Sequence, residues 1–191
     1  MTVHALLLKG LKMTIRSFLR GSLFLAMLLL SVNAYSKTIT SNGRVRTFVD
    51  TIPALYDGSK PVPLIVYNHA GLVSGTESRE RGFFCDVAAS EGVIVTYPDE
   101  EYETWDEWNF VAANDDVIFL KDLIDYYIAN YRIDESRIYM AGWSEGSMMT
   151  STFLFYHADI LAAACHYKGG WAIQAGKNPY TIDPQPNAPI P

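Results

Sequence analysis

A serine flanked by two glycines restricts the fold of this chain more than any other feature. The largely apolar residues 137–141 lead into Gly142-Trp-Ser-Glu-Gly146, and the residues that follow are compatible with a helix. A Gly-x-Ser-x-Gly sequence between a strand and a helix is typical of a sharp turn that exposes the serine hydroxyl above a sheet. Glycines are needed there because a Cβ atom would clash. We therefore predict that Ser144 is a nucleophile.

Backbone N–H groups near this serine form a predicted oxyanion hole. The N–H of Glu145, the residue after the serine, would point at a developing negative charge, and the following helix adds its positive end. A second donor is expected after the apolar strand 64–67, where the chain reads Asn68-His-Ala-Gly71. We assign it to Gly71 or Ala70. His69 has the chemistry of a base or a metal ligand, but we favour a role in bracing this loop through its ring nitrogens.

Strand and helix patterns alternate along the rest of the chain. Residues 37–53 are typical of an antiparallel hairpin that turns near Asn42-Gly43. The remaining segments are predicted strands at 64–67, 93–97 and 161–166, and predicted helices at 78–90, 114–131 and 147–158. Such alternation predicts an α/β fold with a mostly parallel sheet and helices on both of its faces.

An acidic loop, residues 98–109, carries two of the four tryptophans. Trp105 and Trp108 form either an aromatic wall for an apolar or sugar-containing substrate, or a packed support under a solvated acidic surface. The carboxylates of this loop have neither the spacing of a calcium loop nor a feature that would make one of them a glycosidase acid.

The first 34 residues have the pattern of a secretory signal peptide. Four basic residues precede a short apolar run at 23–30, and the small-residue sequence Val32-Asn-Ala34 follows. The alternative is an uncleaved interfacial anchor, because the run is shorter than the roughly 20 residues of a membrane span. We expect cleavage after Ala34, a mature chain of residues 35–191, and secretion to the extracellular space or the periplasm. Export permits a disulfide between Cys85 and Cys165, but we favour two buried free thiols.

Charge and motifs exclude several classes of function. Cleavage removes four basic residues and no acidic ones, which takes the formal charge from −6 to −10. An acidic surface disfavours nucleic acid and anionic membranes as partners. The sequence has no paired-histidine spacing, no Cys-x-x-Cys and no phosphate-binding glycine loop, so we expect neither a metal nor a cofactor. The sequence does not indicate an oligomeric state.

Several segments together resemble the secreted poly(3-hydroxybutyrate) depolymerase and feruloyl esterase branch of the α/β-hydrolases. They are Tyr-Asp-Gly-Ser-Lys-Pro-Val-Pro-Leu-Ile-Val, the His-Ala-Gly loop, Glu-Gly-Val-Ile-Val-Thr-Tyr-Pro-Asp, Trp-Asn with Asp-Asp-Val-x-Phe-Leu, and Gly-Trp-Ser-Glu-Gly-Ser-Met-Met. The similarity extends over about residues 44–170. The resemblance implies that Ser144 hydrolyses a carboxylic ester. The expected substrates are polyhydroxyalkanoate, feruloyl or acetyl esters. The family's oxyanion loop usually begins His-Gly, whereas this chain has His69-Ala70-Gly71.

The resemblance also implies an acid and a histidine on loops after the serine strand. His166 and Asp183 are the substitutes that the sequence offers, and neither has the expected strand context. We therefore expect a chain that ends early, a sheet incomplete at its C-terminal edge, and weak or absent activity. One alternative is a non-catalytic polymer- or carbohydrate-binding remnant that uses Trp105, Trp108 and Trp171. The other is a serine peptidase of the same fold.

Overall fold

A computed structural model describes residues 36–102, 104–109 and 111–169, and within them six strands form one sheet. The strands are β1 (Lys37–Ser41), β2 (Arg44–Thr51), β3 (Val62–Asn68), β4 (Ile94–Pro98), β5 (Ile133–Trp143) and β6 (Ala163–Tyr167). Their order across the sheet is β1-β2-β4-β3-β5-β6. The β1–β2 and β2–β4 pairs are antiparallel, and the other three pairs are parallel. The predicted mostly parallel sheet is confirmed, and β6 forms its edge within the described residues.

The antiparallel hairpin that opens the sheet turns where the sequence indicated. Asn42 and Gly43 connect β1 to β2, with φ angles of 45° and 76°. Positive φ at both turn residues is typical of the tight hairpin turn whose twist matches that of the strands, and Asn-Gly is its preferred sequence.

The described residues also form four α-helices between or after the strands: α1 (Gly75–Glu80), α2 (Cys85–Glu91), α3 (Asp115–Asn130) and α4 (Glu145–His157), with a short 3₁₀ turn at Ala158–Ile160. The single helix predicted over residues 78–90 is wrong. The chain breaks between α1 and α2, where Gly82 and Phe84 have φ angles of 82° and 59°. An α-helix requires negative φ, so these two residues end one helix before the next begins.

Apolar side chains from alternate strand positions form one core on each face of the sheet. On one face, Leu64, Ile94 and Ile138 pack against buried residues of α3 and α4. On the other, Ile65, Val95 and Tyr97 pack with Ala88 of α2. The central strands β3 and β4 are therefore buried on both sides, which explains why they are largely apolar in sequence. The prediction of helices on both faces of the sheet is confirmed.

The carboxyl ends of the parallel strands β3, β4, β5 and β6 lie at the same edge of the sheet, because parallel strands run in one direction. Loops 69–74 and 99–114 leave the sheet at this edge, and α4 begins there. In open α/β sheets, ligands bind beyond these strand ends.

The predicted signal peptide (residues 1–34), Trp171 and Asp183 lie outside the described residues. Of the helices that the structure describes, none combines the length and the apolar content required to cross a bilayer.

Candidate active site

Ser144 lies in the sharp turn between β5 and α4, with φ of 55° and ψ of −118°. Its backbone N–H donates to the carbonyl of Tyr167 in β6 at 2.9 Å. A serine at positive φ is strained, and such strain persists only where surrounding contacts enforce it. The chain changes direction at Ser144 itself, in the geometry that presents a nucleophilic hydroxyl above a sheet.

The two glycines around Ser144 allow backbone to pack against backbone. A Cβ at Gly142 would overlap the carbonyl of Gly146 and lie 2.5 Å from the N of Ser147. A Cβ at Gly146 would overlap the carbonyls of Asn68 and His69 at the end of β3. The turn is therefore pressed against the loop that was predicted to supply the second oxyanion donor.

Glu145 and Gly71 come together at this contact. Glu145 is the first residue of α4, and the N–H groups of a first helical turn have no partner within the helix. A Cβ at Gly71 would lie 2.6 Å from Cδ of Glu145, so the carboxylate packs directly on the Gly71 backbone. The two peptide segments predicted to form an oxyanion hole are adjacent in space, although they are separated by more than 70 residues of sequence.

His69 braces the loop that carries Ala70 and Gly71. Its ring is fully buried, with Nδ1 2.8 Å from the carbonyl of Ala70 and Nε2 2.6 Å from Oε2 of Glu100. Burial lowers the pKa of His69, but the hydrogen bond and negative charge of Glu100, with the Ala70 carbonyl, outweigh it and raise the pKa above its usual value. Since a trans peptide carries C=O and N–H on opposite sides, fixing the Ala70 carbonyl also fixes the direction of the Gly71 N–H.

Trp105 is buried, which favours the packed support over the substrate wall as its role. The side chain is 2% exposed, its indole N–H donates to the His69 carbonyl at 2.9 Å, and its ring centroid lies 5.1 Å from that of His69. A large apolar ring with a satisfied N–H is a supporting element of the core. Trp108 is different, because it is 53% exposed and available to a ligand.

A buried ion pair anchors the acidic loop beside the sheet. Arg46 Nη2 lies 2.5 Å from Oδ1 of Asp116, and both side chains are at most 4% exposed. Oδ2 of Asp116 accepts from the backbone N–H of Asp106 at 2.9 Å, and the amide of Asn114 donates to the Asp106 carbonyl at 2.7 Å. Sequence reasoning missed Arg46 and Glu100.

Three side chains near the loop have the chemistry of metal ligands. One donor atom each from His69, Asp99 and Glu100 lies within 4.8 Å of the others. Their present contacts already use these groups: Asp99 accepts from the N–H of Gly75 and from Thr47 Oγ1, each at 2.8 Å, and Glu100 pairs with His69. The arrangement fits a brace between the β3 and β4 loops.

Of the two histidines after the serine strand, His157 is the last residue of α4, and His166 of β6 contacts this helix. His166 Nε2 is 3.0 Å from Ser151 Oγ, and the ring of His157 packs on Phe153 with centroids 4.9 Å apart. Burial lowers the pKa of both histidines. In the part of the chain that the structure describes, no hydrogen bond joins a histidine to Ser144.

The two cysteines are free. Cys85 is partly buried, with Sγ 3.3 Å from the Tyr97 hydroxyl, and Cys165 is exposed on β6. The expectation that both thiols are buried is therefore wrong for Cys165, because the side chains of this edge strand alternate in exposure.

Sequence comparison finds curated esterases that are similar to this chain. It is 27% identical over 117 residues to feruloyl esterase B of Talaromyces funiculosus, covering 58% of this chain and 33% of that protein. It is 25% identical over 167 residues to poly(3-hydroxyalkanoate) depolymerase C of Paucimonas lemoignei, covering 79% of this chain and 39% of that protein. The chain thus spans less than half the length of these relatives. No family model matches it.

Among solved structures, acetyl xylan esterase from Aspergillus awamori superposes with a TM-score of 0.63 at 20% identity, covering 72% of this chain and 53% of that one. The fold is that of the α/β-hydrolases, with the glycine-flanked serine at its usual position between strand and helix. Within that fold, the resemblance to the feruloyl esterase and poly(3-hydroxybutyrate) depolymerase branch is confirmed.

Proposed function

We propose that the chain carries the nucleophile and the oxyanion hole of a carboxylic ester hydrolase. The supporting observation is the strained turn at Ser144, whose following residue, Glu145, begins a helix that packs on Gly71. Ser144 Oγ attacks the ester carbonyl carbon, and the N–H groups of Glu145 and Gly71 donate to the resulting oxyanion. The C–O bond to the alcohol then breaks. The alcohol leaves with a proton, and water hydrolyses the acyl-serine.

A general base must take the proton of Ser144 during attack. His166 was the substitute suggested by the sequence, but its hydrogen bond to Ser151 directs it to α4. Added imidazole should therefore accelerate acyl transfer to Ser144 from an activated ester, because a small base in solution can take the proton of Ser144, which no described histidine contacts through a hydrogen bond. A nucleophile assisted only by its oxyanion hole retains a small part of the full acceleration.

The substrate proposed for this site is an ester within an apolar or aromatic polymer. Leu72 follows the oxyanion loop and is 84% exposed, while Trp108 and Tyr167 are each 53% exposed. The Tyr167 carbonyl accepts from the Ser144 N–H, and Leu72 and Trp108 lie in the loops that leave the sheet at the same edge. Large exposed apolar groups next to a reactive centre favour contact with an extended hydrophobic surface. A secreted location, proposed from the leader sequence, would give access to such polymers.

Covalent labelling tests the proposal. The full chain is treated with a fluorophosphonate probe and with p-nitrophenyl acetate, and the modified residue is identified by mass spectrometry. We expect modification at Ser144, its loss in Ser144→Ala, and its retention in Ser90→Ala, which changes an exposed serine on α2. Labelling that is equal in Ser144→Ala and in the unchanged chain would refute the nucleophile assignment. Comparing p-nitrophenyl acetate with the matching p-nitroanilide separates an esterase from a peptidase.

Binding without catalysis is the second proposed function, and the exposure of Trp108 and Tyr167 favours it. It predicts adsorption to xylan or polyester film that persists in Ser144→Ala, with no ester cleaved by the unchanged chain. Cleavage that depends on Ser144 would exclude this function as the sole activity.

A further inference from the structure

A row of buried hydroxyl groups lies on helix α4 directly after the nucleophile. Its members, Ser147, Thr150, Ser151 and Thr152, are fully buried. Serine and threonine within a helix commonly donate to the backbone carbonyl four residues earlier. The last three of the row do so, whereas the Ser147 hydroxyl donates to the carbonyl of Gly142, five residues earlier in β5. The Ser147 side chain therefore spans the serine turn instead of closing a bond within its own helix.

The Ser147 hydroxyl joins the ends of two strands beside the nucleophile. Its Oγ lies 2.6 Å from the carbonyl of Gly142 in β5 and accepts from the backbone N–H of Tyr167 in β6 at 3.1 Å. The Tyr167 carbonyl lies 3.1 Å from the same oxygen and accepts from the backbone N–H of Ser144 at 2.9 Å. The last residue of β6 is therefore held between Ser147 and the nucleophile, with its N–H on the first and its carbonyl on the second.

Backbone atoms enclose this bridge from the side of β6. A Cβ at Gly169 would lie 2.4 Å from the Cβ of Ser147 and 2.4 Å from the carbonyl oxygen of Ser144. The chain after β6 is thus packed on the nucleophile and on the bridging serine at once. If the Ser147 hydroxyl is removed, the Tyr167 N–H loses its acceptor, and an unpaired donor in a partly buried site is costly. The end of β6 would then move toward water, and the Ser144 N–H would lose its fixed acceptor.

We propose that Ser147 is a positioning residue that holds Ser144 in the conformation in which it reacts. The Ser147 hydroxyl fixes the Tyr167 peptide, and the Tyr167 carbonyl in turn keeps Ser144 at positive φ, a conformation that persists only where neighbouring contacts enforce it. Ser147 is fully buried and acts through the backbone of Ser144, so it sets the direction of the Ser144 hydroxyl without touching the ester. The inference rests on the proposed function, because it requires Ser144 to be the reacting group.

Labelling kinetics of the full chain with a fluorophosphonate probe test this role. In Ser147→Ala the maximal labelling rate of Ser144 should fall roughly 10- to 100-fold, because a small misplacement of a reacting atom slows a reaction by this order. The probe concentration that gives half of the maximal rate should stay unchanged, since Ser147 does not contact the probe. Ser151→Ala is the matched control. It removes a hydroxyl from the same helix at the same burial, with contacts to the Ser147 carbonyl and to His166, and it should keep the labelling rate.

Amide hydrogen exchange reports the conformation of the turn without any reaction. The Ser144 N–H should exchange roughly tenfold faster, or more, in Ser147→Ala than in Ser151→Ala, because its acceptor is no longer fixed. Gly169→Ala perturbs the same contact from the other side and keeps the Ser147 hydroxyl, so it should also speed exchange and slow labelling. Urea-unfolding midpoints establish that each variant is folded under the conditions of both measurements.

The outcomes separate this inference from the proposed function. If Ser144 reacts equally fast in Ser147→Ala and Ser151→Ala, the role of Ser147 is overturned and the nucleophile assignment stands. A higher half-saturating probe concentration with an unchanged maximal rate would also overturn it, because that result indicates altered probe binding. A Ser144 that never reacts, but whose N–H exchange depends on Ser147, would remove the proposed function and leave Ser147 as the residue that holds the turn.

Discussion

The backbone N–H of Ser144 donates to the carbonyl of Tyr167 at 2.9 Å, so the strained serine turn is tied to the edge strand β6. Ser147 Oγ contacts the same strand end, donating to the carbonyl of Gly142 at 2.6 Å and accepting from the N–H of Tyr167 at 3.1 Å. The conformation of the nucleophile therefore depends on contacts from β5, β6 and α4 together, since a non-glycine residue at positive φ needs external support.

Gly146→Ala should disturb the serine turn. The new methyl group would overlap the backbone carbonyls of Asn68 and His69, which cannot move like a flexible side chain. We expect a loss of roughly 1–3 kcal/mol in the free energy of unfolding, measured with urea, and loss of fluorophosphonate labelling at Ser144. Gly43→Ala is the control, because its Cβ meets open space in the hairpin turn and it should retain labelling. Full labelling of Gly146→Ala would contradict the close packing.

Arg46→Met should strongly destabilise the fold. It leaves the Asp116 carboxylate buried without its cation, at 2.5 Å from the lost guanidinium position. Removing one partner of a buried ion pair costs roughly 3–5 kcal/mol, which chemical denaturation can measure. Arg81→Met, in the exposed Glu77–Arg81 pair of the α1 region, is the matched control and should have little effect. Similar losses in both variants would show that the Arg46 pair has no special role.

Glu100→Gln should change how stability depends on pH. The raised pKa of His69 means that its protonated form contributes stability fully below the unfolded value of about 6.5, and that this contribution is lost as the pH rises through the folded value. Without the Glu100 charge, the loss of stability with rising pH should be smaller. Unfolding midpoints measured between about pH 6 and 9 would show this difference. Glu101→Gln, whose partner is the exposed Arg44, should keep the pH dependence of the unchanged protein.

Trp105→Ala and Trp108→Ala should separate support from binding. Trp105 is 2% exposed, so its loss should cost roughly 3–5 kcal/mol of folding stability. Trp108 is 53% exposed, so its loss should leave the thermal unfolding midpoint nearly unchanged while weakening adsorption to polyester film or xylan. If Trp108→Ala adsorbs as well as the unchanged chain, the exposed ring has no part in polymer contact.

Local sequence signals predicted most of the fold. Asn42-Gly43 specified its turn because few other dipeptides accept positive φ at both positions. Asn114 lies at the start of the predicted helix 114–131 and caps α3, because its side chain accepts from the N–H groups of Asp116 and Val117 at 2.9 Å and 3.1 Å. The break between α1 and α2 was missed, because only Gly82 signalled it and Phe84 adopts positive φ against its own preference.

The sequence by itself determined the serine turn, since two glycines at fixed spacing act within one short segment. Only the tertiary structure decided that Gly71 meets Glu145, that His69 pairs with Glu100, and that Trp105 is buried whereas Trp108 is exposed. The two contacts join residues that are distant in the chain, and the difference in burial is between two tryptophans of the same loop. Their geometry depends on how strand ends and loops pack together, and no local residue pattern contains that information.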